Sequence, residues 1–202
     1  MKNDDRPYIN SLKESLKEIG FLQANNTWRK EFDDVIVLCK VEYEVMSLDV
    51  DIVFAVWLKA LGDIRKNDLK FAMGSSHIMC KFNSFLSGKP FYDMIAACSV
   101  AEDNFDWRIQ HYESVSPEDR EIILESFKFN PPQSLEEKVN LFESIFQYHG
   151  LKVLKQLSSE ESILSLVKDR CLLSLDVDAA GYLGLNLNET GYPVFYNRKE
   201  WA

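Results

Sequence analysis

Apolar residues recur at three- and four-residue spacing through Ile9, Leu12, Leu16 and Ile19, and Gly20 follows. That spacing predicts a helix with one buried face and a glycine stop. Beyond it the period drops to two. Thr27 to Glu31 reads as a short strand between the turn signals Asn25-Asn26 and Asp33-Asp34. The stretches VIVLCKVEYEV and SLDVDIVFAVWLK then predict two longer strands, rich in β-branched residues, joined as a hairpin about Met46-Ser47. A two-residue and a four-residue loop both fit that connection.

Residues 61–104 are harder to place. HIMCKF and FYDMIAAC read as candidate strands, and DIRKNDLKFAM as a short helix or an irregular connection. DWRIQHYESV alternates and leads into a helix. There Ser116 is the candidate N-cap, Pro117 takes the first helical position, and Ile122, Ile123, Leu124 and Phe127 supply the apolar face. After Pro131-Pro132, Ser134 to Glu137 spells a capping box. The helix it opens carries Leu135, Val139, Phe142 and Phe146 and is expected to stop near Gly150. Another helix is expected from Ser158 or Ser159, and a last one over Asp176 to Leu185, weakened by Gly181 and Gly184.

Helix, then strands, then helices is the order of an α+β fold rather than of βαβ units. The expected architecture is an antiparallel meander, made mainly by residues 27–115. An N-terminal helix and a C-terminal group of helices pack on it. At 202 residues the chain is expected to form one domain, residues 1–202, with 131–132 as the possible lobe boundary.

Three stretches carry a resemblance. LKEIGFLQANNTWRKEFDDVIVLCKVEY places a helix ending in Gly-Phe before a short hairpin. DWRIQHYESVSPED places a strand before a capped helix, and YHGLKVLKQLSSEESI a helix stop before a new start. In these the chain resembles a bacterial family of small cytosolic proteins known only as a domain of unknown function. The resemblance implies an N-terminal helix, a strand meander, a helical C-terminal half and a cytoplasmic setting. It implies no reaction and no catalytic residues.

Charge narrows the partners. The formal net charge is -9, which argues against nucleic acid and anionic membranes, since both recruit Lys and Arg. An acidic surface suits solubility or a basic protein partner met by electrostatic steering. No window is apolar for long enough to span a bilayer, and the charged N-terminal stretch does not read as a secretory signal. Cys39, Cys80, Cys98 and Cys171 are widely spaced among apolar residues, without a Cys-x-x-Cys pair, so they read as reduced, mostly buried thiols.

The hairpin holds the clearest candidate site. Its apolar residues are odd-numbered in the first strand (Val41, Tyr43, Val45) and even-numbered in the second (Leu48, Val50, Ile52, Phe54). Opposed residue numbers must therefore sum to an odd value. With the shorter loop, Glu44 meets Asp49 and Glu42 meets Asp51, and the four carboxylates converge on one face. Directly opposed like charges cost about 0.2–1 kcal/mol per pair. The expected offset comes from Lys40, with Arg29 and Lys30 of the preceding strand.

The other chemistry-bearing residues give weaker patterns. His77, His111 and His149 lack zinc-binding spacing. His149 reads as a helix C-terminal cap favoured as imidazolium by the dipole. A Cys98–His111 nucleophile pair has no local signature. LDVDAAGYLGLN begins like a calcium loop but places Ala180 and Leu187 where oxygen ligands are needed. Phe91, Tyr92, Tyr192, Phe195, Tyr196 and Trp201 read as core, lid or interface aromatics. No catalytic residue, metal ligand set or cofactor is assigned, and oligomeric state is left open.

The leading expectation is a non-enzymatic, acidic cytosolic binding module. An immunity or adaptor protein that presents Glu42, Glu44, Asp49 and Asp51 to a basic partner would fit. The alternatives are a metal-assisted hydrolase using the same carboxylates, and a dimeric secretion chaperone with an exposed apolar groove.

Overall fold

The computed structural model describes residues 6–44, 49–62, 76–99, 132–169 and 174–185, with Ile122 and Glu125 as isolated helical positions. It shows the α+β architecture. The first helix, α1, spans Arg6–Glu18 and buries Tyr8, Leu12 and Leu16 at four-residue spacing. Ile9 and Ile19 lie at the edge of that stripe and are only partly buried. At the C-terminus, Gly20 takes φ +86°, a conformation that costs glycine nothing. It allows the Gly20 N–H to reach the Lys17 carbonyl and the Phe21 N–H that of Leu16, both at 2.9 Å. Gly184 does the same after the last helix, at φ +69°, so it terminates that helix rather than weakening it.

Six strands follow one another as an antiparallel meander, β1 to β6 in sequence order. They are β1 (Leu22–Ala24), β2 (Thr27–Glu31), β3 (Val35–Glu44), β4 (Asp49–Leu58), β5 (Ile78–Lys81) and the two-residue β6 (Ser174–Leu175). The turn between β1 and β2 is the Asn25-Asn26 pair, with Asn25 at φ +57°. β1 and β6 lie outside the 27–115 range expected for most of the sheet. At three and two residues they carry too little alternation to be read.

FYDMIAAC is not a strand. Lys89–Cys98 forms helix α2, with Pro90 in its first turn, and Phe91, Tyr92 and every residue from Met94 to Cys98 are buried. A helix apolar nearly all round has no period to betray it. Helix α3 (Leu135–Ile145) opens on the predicted capping box: the Ser134 hydroxyl accepts from the Glu137 N–H at 3.1 Å. The Glu137 carboxylate returns to the Ser134 N–H at 3.0 Å. Leu135 proves exposed, as does Ile122, whereas Phe142 and Phe146 are fully buried.

The expected stop at Gly150 is absent. A π turn, Phe146–Gly150, carries the chain from α3 into α4 (Leu151–Gln156), with Gly150 itself in right-handed helical geometry. Glycine serves there for space: a Cβ would lie 2.5 Å from the Phe146 ring. Helices α5 (Glu160–Asp169) and α6 (Val177–Tyr182) complete the described chain, and Asp176 caps α6 by accepting the Asp178 N–H at 2.8 Å. The DWRIQHYESV strand, the Ser116 cap, DIRKNDLKFAM and the aromatic tail lie outside the described residues.

The main core lies between the helices and the sheet face bearing Val37, Cys39, Val41, Ile52, Phe54 and Val56. Its centre is aromatic: Phe82 stands edge-on to Phe54 at 5.9 Å and to Phe146 at 5.8 Å, and Tyr8 meets Phe142 at 5.0 Å. The opposite face is buried too at one end, through Ile36, Leu38, Val53, Ala55 and Trp57. Both faces are therefore buried from the Val35–Leu58 end of the β3–β4 ladder as far as Val53. The polar part of the second face lies toward the 45–48 connection.

Candidate functional site

The hairpin register settles which residues meet. In the β3–β4 ladder Val41 pairs with Ile52, Glu42 with Asp51 and Glu44 with Asp49. The two apolar sets therefore fall on the helix-covered face, and the carboxylates take positions on the other. β5 then places Lys81 opposite Val53, which is itself opposite Lys40. The result is a checkerboard, with a lysine on each side of Val53 and a carboxylate pair one step nearer the hairpin end.

The side chains close that pattern into ion pairs. Lys81 Nζ reaches Asp51 Oδ2 at 2.8 Å, and Asp51 is only 7% exposed. Lys40 pairs with Glu42 along its own strand, where both remain partly open to water. The expected counter-charges are elsewhere. Arg29 pairs with Glu31 at 3.3 Å. Lys30 alternates to the helix side, where its ammonium donates to the Ile19 carbonyl and sits over the Phe32 ring at 4.8 Å. Lys81 escaped the sequence reading because only the β4–β5 register puts it beside Asp51, and nothing local to HIMCKF fixes that register.

The hairpin carboxylates with described side chains, Asp51 and Glu42, occupy two environments. Asp51 is an internal charge, tied across strands and largely withdrawn from solvent. Glu42 is a half-buried group with its own lysine. Glu44 and Asp49 form the pair nearest the hairpin end by register.

Most of the other described chemistry-bearing side chains are engaged in the core or in the helices. Cys39, Cys80 and Cys98 are buried thiols, and burial pushes the Cys39 thiol well above its ordinary range, with Cys80 adding to the effect. The Tyr8 hydroxyl donates to the Ala97 carbonyl at 2.8 Å, and burial, then Cys98, raises its pKa as well. His149 lies inside the helical run, at the π turn, and does not cap an end. Partial burial, then Lys152, lowers its pKa and disfavours the imidazolium expected there. His111 and Cys171 lie outside the described residues. Asp176 and Asp178, the apparent start of a calcium loop, belong to the cap and first turn of α6. Phe91 and Tyr92 are core residues packed edge to face at 5.7 Å.

Among the described residues, no group of three or more His, Cys, Asp or Glu is arranged to hold a metal ion. No helix among them is long and apolar enough to cross a membrane. Comparison with protein-family models, curated proteins and solved structures finds no match for this chain. The layout implied by the family resemblance is nevertheless the one observed: an N-terminal helix, an antiparallel meander and a helical C-terminal region.

Proposed function

We propose that this chain is a non-enzymatic binding module that presents the hairpin end of its sheet to a basic protein partner. One observation carries the reading. The register gathers Glu42, Glu44, Asp49 and Asp51 on one face against two lysines, Lys40 and Lys81. By register, Glu44 and Asp49 are the carboxylate positions nearest the 45–48 connection. A chain of net charge -9 adds a long-range field of the same sign. Fields of this kind speed encounter and select partners by charge, and do so most strongly at low ionic strength.

In this reading the protein acts in the cytoplasm as an immunity or adaptor protein of the bacterial family it resembles. Buried thiols on α2, β3 and β5 suit a reducing compartment. Asp51 is excluded from the contact surface, because Lys81 and burial already hold it. Affinity capture from the native cell tests the proposal, with the protein and its Glu42→Lys/Glu44→Lys/Asp49→Lys variant as parallel baits. A basic protein retained by the first bait and lost from the second is expected. Equal retention on both baits contradicts the assignment. Metal-assisted hydrolysis, which would recruit the same carboxylates, predicts instead a calorimetric signal on titration with Mg²⁺ or Mn²⁺.

A further inference from the structure

The sheet end farthest from the hairpin holds a junction that the proposed function does not use. In the β4–β5 ladder Val56 pairs with Ile78, so β4 overshoots the start of β5 and finishes at Leu58 beside the approach to it. There the Leu58 N–H donates to His77 Nδ1 at 2.9 Å, a side chain taking the place of a ladder carbonyl. The His77 carbonyl in turn accepts the N–H of Asp176 at 2.8 Å. Asp176 is the N-cap of α6. One residue therefore ties the end of β4, the start of β5 and the head of α6.

An imidazole nitrogen accepts a hydrogen bond only through a bare lone pair. The bond from Leu58 thus fixes His77 as the neutral ring with its proton on Nε2. Protonation at Nδ1 sets N–H against N–H, and the contact with Leu58 cannot survive it. We propose that His77 is a pH-sensitive latch: neutral, it fastens the end of β4 to the start of β5, and protonated, it releases Leu58.

The surrounding charges give the latch its direction. Asp176 and Asp178, at the head of α6, face the ring and favour its charged form, while burial disfavours that form and wins. From the β4 side the ring meets a neutral backbone N–H, and the next residue, Lys59, is engaged with Glu31 at 2.9 Å. Among the described residues β6, Ser174–Leu175, adds no charged side chain. His77 therefore titrates below the ordinary histidine value of 6.5. The sign follows. In the folded chain the group binds fewer protons than in the unfolded chain, so the latch contributes fully above that value. Its contribution is lost as pH falls through the folded pKa. Once charged, the ring is drawn toward Asp176 and Asp178. The release is local, freeing the junction while the centre of the sheet stays paired.

Imidazole ¹⁵N shifts of His77, read on the full chain from about pH 8 to about pH 5, test the proposal together with the exchange rate of the Leu58 amide. The expected result is an unprotonated Nδ1 at the upper end and a midpoint below 6.5. Leu58 protection, corrected for intrinsic exchange, should fall by about tenfold across that midpoint. The Phe54 amide, in the middle of β4, should keep its protection. Asp178→Asn removes a facing carboxylate and should move the midpoint lower still. A proton on Nδ1 at neutral pH, Leu58 exchange that ignores the His77 midpoint, or a midpoint unmoved by Asp178→Asn would overturn the latch.

Discussion

A carboxylate withdrawn from water must be met by a cation or by hydrogen bonds, and at Asp51 the partner is Lys81, 2.8 Å away across the β4–β5 ladder. Removing the cation alone takes a charge-assisted partner from a largely buried carboxylate. Lys81→Met should therefore destabilise the fold by about 1–3 kcal/mol, near the modest end of the range for broken buried pairs because Lys81 still reaches water. Asp51→Leu with Lys81→Met should recover part of that loss, since an apolar pair suits a site beside Val53 and Ala55. Urea denaturation of both singles and the double gives the coupling directly. Gly150 is the second residue whose role lies in its surroundings. A Cβ there meets the Phe146 ring at 2.5 Å, and Phe146 is fully buried in the aromatic centre. Gly150→Ala should cost about 1–3 kcal/mol through overpacking, although alanine is the better helix former. A lowered thermal midpoint would show it, and an unchanged or raised one would mean that the π turn can absorb the methyl.

Elements whose signals are local were legible. The Ser134–Glu137 box predicted the start of α3, and the three- and four-residue apolar spacing with Gly20 predicted α1 and its end. The phase reversal between β3 and β4 predicted which faces pair, because a one-residue slip would turn every side chain to the wrong face. Elements decided by tertiary packing were not legible. α2 reads as a strand because its apolar run has no period, and Gly150 reads as a stop because the Phe146 ring that needs the space is invisible in sequence. The α3 cap carries its own prediction. Ser134→Ala should cost about 1 kcal/mol of stability in a denaturation experiment. The Glu137 carboxylate accepts from the Gln133 and Ser134 N–H groups, which hold its pKa below the ordinary glutamate value. Its support for the helix start is therefore complete above that value and fades as pH falls through the lowered pKa. Glu137→Gln should remove that acid-side dependence, as followed by circular dichroism.

Across the whole molecule, helices cover one face of the meander, and the second face divides into an apolar half and a charged half. The four carboxylates were legible as one group, because alternation alone places them on a common face. The burial of Asp51 against Lys81 was not legible, since it depends on Lys81 arriving from a strand twenty residues beyond the hairpin. The consequence reaches function. Charge reversal at Glu42, Glu44 and Asp49 should alter encounter with a basic partner without disturbing the core, whereas reversal at Asp51 should unsettle the fold itself. The most direct measurement is the association rate of the captured partner with the native chain and with the Glu42→Lys/Glu44→Lys/Asp49→Lys variant, each followed from low to high ionic strength. The account predicts that the native rate falls steeply with salt and that the variant binds about tenfold or more slowly at low salt, with a flattened dependence. Equal rates and equal salt slopes for the two proteins would contradict it.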